Sequence, residues 1–159
     1  MDDVAVARAI HVLAVVLWIG GVGVVTTVVL PIVRRARIPQ ERLALFDAVE
    51  RRFIWQARVL TLLVAASGFY MVERLNLWQR FRSVEFWWLH AMVGVWAIFT
   101  LILFVAEPLI VHRWVQRRAL TAPDATFFWL HWLHWVLLGL SLITIFAAVA
   151  GSYGMVLVP

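Results

Sequence analysis

The chain has 159 residues, of which 64% are apolar, with ten tryptophans and a mean hydropathy of +0.91. This is the composition of a membrane protein, and the length allows one small domain. The absence of cysteine excludes a disulfide framework, thiolate-bound zinc, iron–sulfur ligation and cysteine catalysis. The basic residues are all arginines between apolar runs, where they orient spans in a bilayer, so the net charge of +5 predicts no nucleic-acid partner.

Four apolar segments are long enough to cross a bilayer, which takes about 20 helical residues. They cover roughly 4–33, 54–73, 86–111 and 127–151. The first is expected to end near Pro31, the third follows a candidate cap at Ser83, and the fourth follows Pro123. The first is too long for a signal-peptide core and should be retained. We therefore predict a single transmembrane domain over residues 1–159, an all-α antiparallel bundle of four transmembrane helices.

The segment 40–52 is amphipathic, with Leu43, Phe46 and Val49 on one face. It is expected either to lie in the membrane interface or to extend the second span. Nine arginines flank the first and third loops, against four on the other side. Because cytoplasmic loops carry the excess of positive charge, we predict that these loops are cytoplasmic and that both termini are periplasmic.

Three histidines interrupt apolar runs, at His11, His90 and His134. Ionisable side chains within a membrane span are costly and default to a functional interpretation, and neutral imidazole is a common ligand of metals and haem iron. Spans one and three begin on the same side, so His11 and His90 should lie at similar depth near the outer surface. We predict that these two face one another as a ligand pair.

Histidines at the opposite end predict a second, separate site. His134 is expected ~15 Å below His11 from the helical rise, too far for both to ligate one iron. The residues available to such a site are His134, His131 and His112. The alternatives are an interfacial aromatic–histidine cluster for His131 and His134, and a headgroup-level position for His112.

Arginine and glycine positions near the histidines suit a macrocycle. Arg8, one turn outward of His11, and Arg58, on the inner side of span two, each have two interpretations, a partner of a haem propionate or a boundary arginine. Gly94 continues the His90 stripe and gives room either for a flat ring or for close helix packing.

The pair Glu107-Pro108 is unusual within a span. Pro108 is expected to kink the helix and to free a backbone carbonyl. Glu107 either neutralises an arginine or relays a proton to a quinone.

Two segments carry a resemblance to known membrane proteins. HVLAVVLWIGG (11–21), with its apolar run, Pro31 and arginine cluster, resembles the first helix of the bacterial copper-resistance D (CopD-like) group. The third span, 86–114, looks like four-helix relatives of that group, and the resemblance covers about a third of the chain. It implies a bacterial cytoplasmic membrane protein and b-type cytochrome relatives that hold haem with histidines from different helices.

The resemblance also implies two alternatives. Protoporphyrinogen oxidase of the HemJ type is similar in its first helix but relies on a lysine as well as a histidine, and this chain has no lysine. Copper handling by the CopD-like group implies methionine- or histidine-rich approaches, and here there are four methionines and no Met-x-Met motif.

The functional hypothesis is a membrane b-type haem protein that carries electrons in or across the bilayer. One haem b is held by His11 and His90, and a second haem or a metal at the inner site is left open, with copper as the alternative cofactor. A quinone or another redox partner, a homodimer and a membrane oxidoreductase activity are compatible with this hypothesis. A structural subunit without cofactor is the third class.

Overall fold

The computed structural model describes residues 2–153, and within this range the chain is helical and contains no strand. Four long helices follow one another, α1 (Asp2–Arg35), α2 (Pro39–Arg74), α3 (Val84–Thr121) and α4 (Pro123–Ser152). Each is long and apolar enough to cross a membrane. The predictions of an all-α chain and of four helices able to span a membrane are therefore confirmed.

Helix α1 continues through Pro31, where the sequence predicted that it would end. A π-helical turn, Val25–Val29, precedes the proline, and the Leu30 N–H donates to the carbonyl of Val25. In an ordinary α-helix the proline ring would clash with the carbonyl four residues earlier. The π turn changes that register, so the helix runs on to Arg35 and ends at an extended Ala36.

Helix α3 also has an irregular start and centre. Ser83 occupies the position before its first turn, but its hydroxyl makes no capping hydrogen bond, contrary to the predicted cap. A short 3₁₀ turn, Val84–Phe86, replaces it as the entry to the helix. Further along, a π-helical stretch spans Ile102–Val111 and contains Pro108.

Residues 40–52 form the first turns of α2, so this segment extends the second span. Phe46, on its apolar face, is 5% exposed and packs edge-on against Phe127, with ring centroids 5.7 Å apart. The amphipathic face is therefore buried against the other helices. Phe46 belongs to a first core cluster, whose buried members are Val25, Leu30, Val33, Phe46, Val115, Ala119, Phe127 and Leu130.

A second core cluster joins all four helices in the middle of the molecule. Trp18 of α1 meets Phe99 of α3 edge-on with ring centroids 4.9 Å apart, while Leu60 of α2 and Leu138 of α4 complete the packing. Large apolar side chains also cover the outer faces; Phe146, for example, is 65% exposed. Such faces suit contact with lipid hydrocarbon, because in a bilayer exposed apolar groups meet an apolar solvent.

Polar contacts tie the ends of the helices together. At one end the Tyr70 hydroxyl and the Arg74 guanidinium donate to the Asp3 carboxylate. At the other end Arg42 pairs with Asp124. These contacts link α1 with α2, and α2 with α4.

Candidate functional site

His11 is held between α1 and α2 by two hydrogen bonds through one ring nitrogen. Its Nδ1 lies 3.1 Å from the Val64 carbonyl oxygen and 3.0 Å from Ser67 Oγ. A carbonyl only accepts, and the Ser67 hydroxyl already donates to the carbonyl of Leu63. The proton is therefore on Nδ1, and Nε2 keeps its lone pair.

The same helix contact fixes the plane of the His11 ring. A methyl group at Gly68 would come within 3.2 Å of His11 Cε1, so the ring packs closely against α2 at this glycine. An imidazole whose N–H is tied to a carbonyl is oriented as metal- and haem-bound histidines are. His11 thus has the tautomer and orientation of a ligand.

His90 lies on the exposed face of α3. Its Nε2–H donates to the Phe81 carbonyl at 3.0 Å, and its ring packs edge-on against the Phe81 ring. Gly94 is exposed as well, and a methyl group built there would meet nothing within 4 Å. The stripe predicted to line a cofactor pocket is therefore at the surface of the chain.

No hydrogen bond or ring contact joins His11 to His90 among the described residues. Each imidazole is held by a different element, and each keeps one ring nitrogen with its lone pair. Their action as a ligand pair stays a prediction.

The two histidines of α4 differ in what they can bind. The Nδ1–H of His134 donates to the carbonyl of Leu130 at 2.8 Å, which leaves Nε2 free to accept. His131 accepts from Arg34 on Nδ1, and its Nε2 lies 2.9 Å from the Thr26 carbonyl oxygen and 3.0 Å from the Trp135 indole nitrogen. Both ring nitrogens of His131 are thus engaged, so as placed it offers no lone pair to a metal.

His112 and Arg8 lie at the surface. His112 is 46% exposed in its side chain and lies 3.7 Å from the Glu50 carboxylate, which agrees with a position at headgroup level. Arg8 is exposed. Across residues 2–153, no group of three or more histidine or acidic side chains is placed to hold a metal ion.

Arg58 is engaged by groups of α3. Its Nη2 lies 2.8 Å from the Glu107 carboxylate, and its Nε and Nη2 donate to the Leu103 carbonyl at 3.0 and 2.9 Å. Pro108, which has no N–H, follows Leu103 by five residues, the spacing of a π-helical hydrogen bond. The Arg58 guanidinium bonds to the Leu103 carbonyl, the position that Pro108 leaves without a donor in a π-helical register, and Glu107 neutralises its charge.

A small cavity lies beside this ion pair. Its volume is about 110 Å³, and its ionisable lining residues are Glu50, Glu107 and His134. The buried Trp18 also lines it, and its indole N–H has no hydrogen-bond partner in the described chain. The cavity is polar enough and large enough for water, whereas pockets for cofactor-sized molecules are about 300–1,000 Å³.

The haem hypothesis can be tested against these features. The donor chemistry fits, because three histidines within spans each tie one N–H to a backbone carbonyl and keep the other nitrogen free. The small cavity does not accommodate a macrocycle in its present shape. The donor nitrogens are therefore of a kind that haem iron takes, but this cavity is too small to hold the ring.

Several residues of these sites had not been singled out from the sequence. Ser67 and Thr61 are buried on the inward face of α2, and the Trp96 indole donates to the Thr61 carbonyl at 3.1 Å. Their helical spacing within an apolar span was the signal that could have found them. Glu50 was counted among the charges of the amphipathic segment, and nothing local showed that α3 would cover it.

Comparison of the chain with known protein families, characterised proteins and solved structures finds no match.

Proposed function

We propose that this protein is a membrane b-type haem protein that carries electrons in the bacterial cytoplasmic membrane, with His11 as the principal ligand. One observation carries the proposal: His11 is fixed by the Val64 carbonyl and Ser67 so that Nε2 alone can bind iron. His90, with a free Nδ1, is the second ligand in this proposal. The lone pair of His134 Nε2 is the candidate ligand for a further haem or metal.

The proposed arrangement is an antiparallel four-helix bundle in the membrane. It is supported by contacts that pair the start of one helix with the end of the next. Asp3 near the start of α1 meets Arg74 at the end of α2, and a methyl group at Gly151, near the end of α4, would clash with Trp88 at the start of α3.

Orientation follows from the arginines, with both termini periplasmic. Because the chain has no cysteine, any introduced cysteine is unique. We expect a membrane-impermeant maleimide added to intact spheroplasts to label Gln79→Cys, between α2 and α3, and to label Ala44→Cys only after permeabilisation. The reverse labelling pattern would overturn the orientation and leave the His11 site untouched.

In the proposal the imidazoles of His11 and His90 would hold the haem, which would supply one-electron chemistry and so favour electron passage over chemistry at the metal. In stopped-flow experiments, a quinol analogue should reduce the haem-loaded protein at least ten times faster than the uncatalysed background. Reduction at the background rate with a haem spectrum intact would remove the quinol-linked role but retain the haem site. A preparation that never binds haem would remove both.

A further inference from the structure

An open groove runs along the outside of the molecule between α1 and α2, separate from the histidines. It is about 810 Å³ in volume, within the range of ligand-sized sites. On α1 its wall follows the π-helical turn, from Gly21 to Val29, and on α2 it runs from Ala48 to Gln56. Nine residues of helix on each side give a length of about 12 Å.

Two arginines line this groove without a carboxylate. Arg51 donates only a long 3.4 Å bond to the carbonyl of Asp47, and Arg52 makes no hydrogen bond or ion pair within residues 2–153. Both are exposed. They lie just before residue 54, where the apolar part of α2 begins, and so at the level of the lipid headgroups.

Polar groups stand at two levels on the α2 wall. The guanidinium groups of Arg51 and Arg52 come first, and the Gln56 amide follows Arg52 by four residues, about 6 Å deeper by helical rise. Gln56 is exposed and makes no hydrogen bond in the described chain. The rest of the lining is apolar, with Phe53 directly after Arg52 on α2 and with Gly21 and Val24 on α1.

From these cations without a carboxylate and the apolar lining beside them we infer that the groove between α1 and α2 binds one anionic phospholipid of the surrounding leaflet. The phosphate of the lipid meets Arg51 and Arg52, and an acyl chain lies along Val24 and Phe53. Basic pockets between transmembrane helices hold anionic headgroups in this way. The two cations favour an anionic lipid, and the apolar lining favours a lipid over a free anion, which has no acyl chain.

Phe53 forms the wall between the groove and the interior. A methyl group at Gly21 would come within 2.7 Å of Phe53 Cε2, so the ring lies directly on the glycine. The same ring also lines the small cavity beside the Arg58–Glu107 ion pair, which Glu50 and His134 line as well. A lipid in the groove therefore packs against the wall of the cavity without entering it.

The test is a titration of the purified full chain with phosphatidylglycerol or phosphatidylcholine in detergent, followed by native mass spectrometry. We expect phosphatidylglycerol to bind more tightly than phosphatidylcholine. Arg51→Gln and Arg52→Gln should each weaken phosphatidylglycerol binding about 5-fold, and together about 25-fold. The matched control, Arg113→Gln with Arg117→Gln, removes two exposed arginines of α3 that do not line the groove and should change binding less than 2-fold.

A second variant separates a groove from a diffuse charge effect. Val24→Trp fills the apolar part with the charge unchanged, and Val24 is 55% exposed, so folding should be preserved. It should weaken phosphatidylglycerol binding, and excess inorganic phosphate should leave the wild-type lipid bound. The inference fails if Val24→Trp binds lipid as the wild type does, if the control pair weakens binding equally, or if phosphate displaces the lipid.

Discussion

Replacing His11 with alanine should abolish haem binding. In the proposed site no other group occupies its position between α1 and α2, where the Val64 carbonyl fixes the Nδ1–H tautomer. Ser67→Ala should be milder, with about a 10-fold loss of haem affinity, because it removes one of two groups that orient the ring. Haem content per chain, measured from the absorption spectrum of purified protein, checks both.

Leu13→Ala is the matched control, because Leu13 lies on the same helix and is 62% exposed. It should retain full haem. Size-exclusion chromatography and restoration of a six-coordinate spectrum by added imidazole distinguish a lost ligand from a lost fold. If His11→Ala retains the wild-type spectrum, His11 is not a ligand, and if His90→Ala retains it, the predicted pair is wrong.

Breaking the ion pair between α2 and α3 should have the largest effect on stability. Arg58→Met leaves the Glu107 carboxylate without its cation and the Leu103 carbonyl without its donor. Both side chains are largely buried, at 25% and 15% exposed, so we expect a loss of about 3 kcal/mol in the free energy of unfolding. Denaturant unfolding in detergent micelles measures this loss.

The double variant Arg58→Met, Glu107→Gln is the informative comparison. With both charges removed, it should recover a large part of the loss, because an unpaired carboxylate in a low-dielectric interior is the main penalty. Arg82→Met, at an exposed arginine without a carboxylate partner in the described chain, should shift the free energy by less than about 0.5 kcal/mol. Equal effects of Arg58→Met and Arg82→Met would show that the ion pair contributes nothing.

The number and rough extent of the helices followed from apolar length, because only closed hydrogen-bonded elements are stable in lipid. The continuation of α1 through Pro31 could not be predicted from the sequence, because a π-helical turn is a local register change with no sequence signature. The free carbonyl near Pro108 was predictable because proline lacks a donor, but Arg58 as its donor required the packing of α2 against α3.

For the histidines, the sequence predicted the depth of each side chain but not its direction. In a membrane helix both the buried and the lipid-facing sides are apolar, so hydrophobic periodicity does not distinguish them. Depth could be counted from the span ends, but the direction of each side chain could not. His11 therefore proved to be inside the bundle while His90 and Gly94 lie on an outer face.

The central claim is that His11 binds haem iron, and an absorption spectrum of the wild-type protein tests it most directly. The chain should be purified after expression with ample haem and recorded oxidised and after reduction. If His11 binds haem iron, we expect a red protein whose Soret band sharpens and shifts on reduction, with at least one haem per chain. A colourless protein, with or without stoichiometric copper, would contradict it.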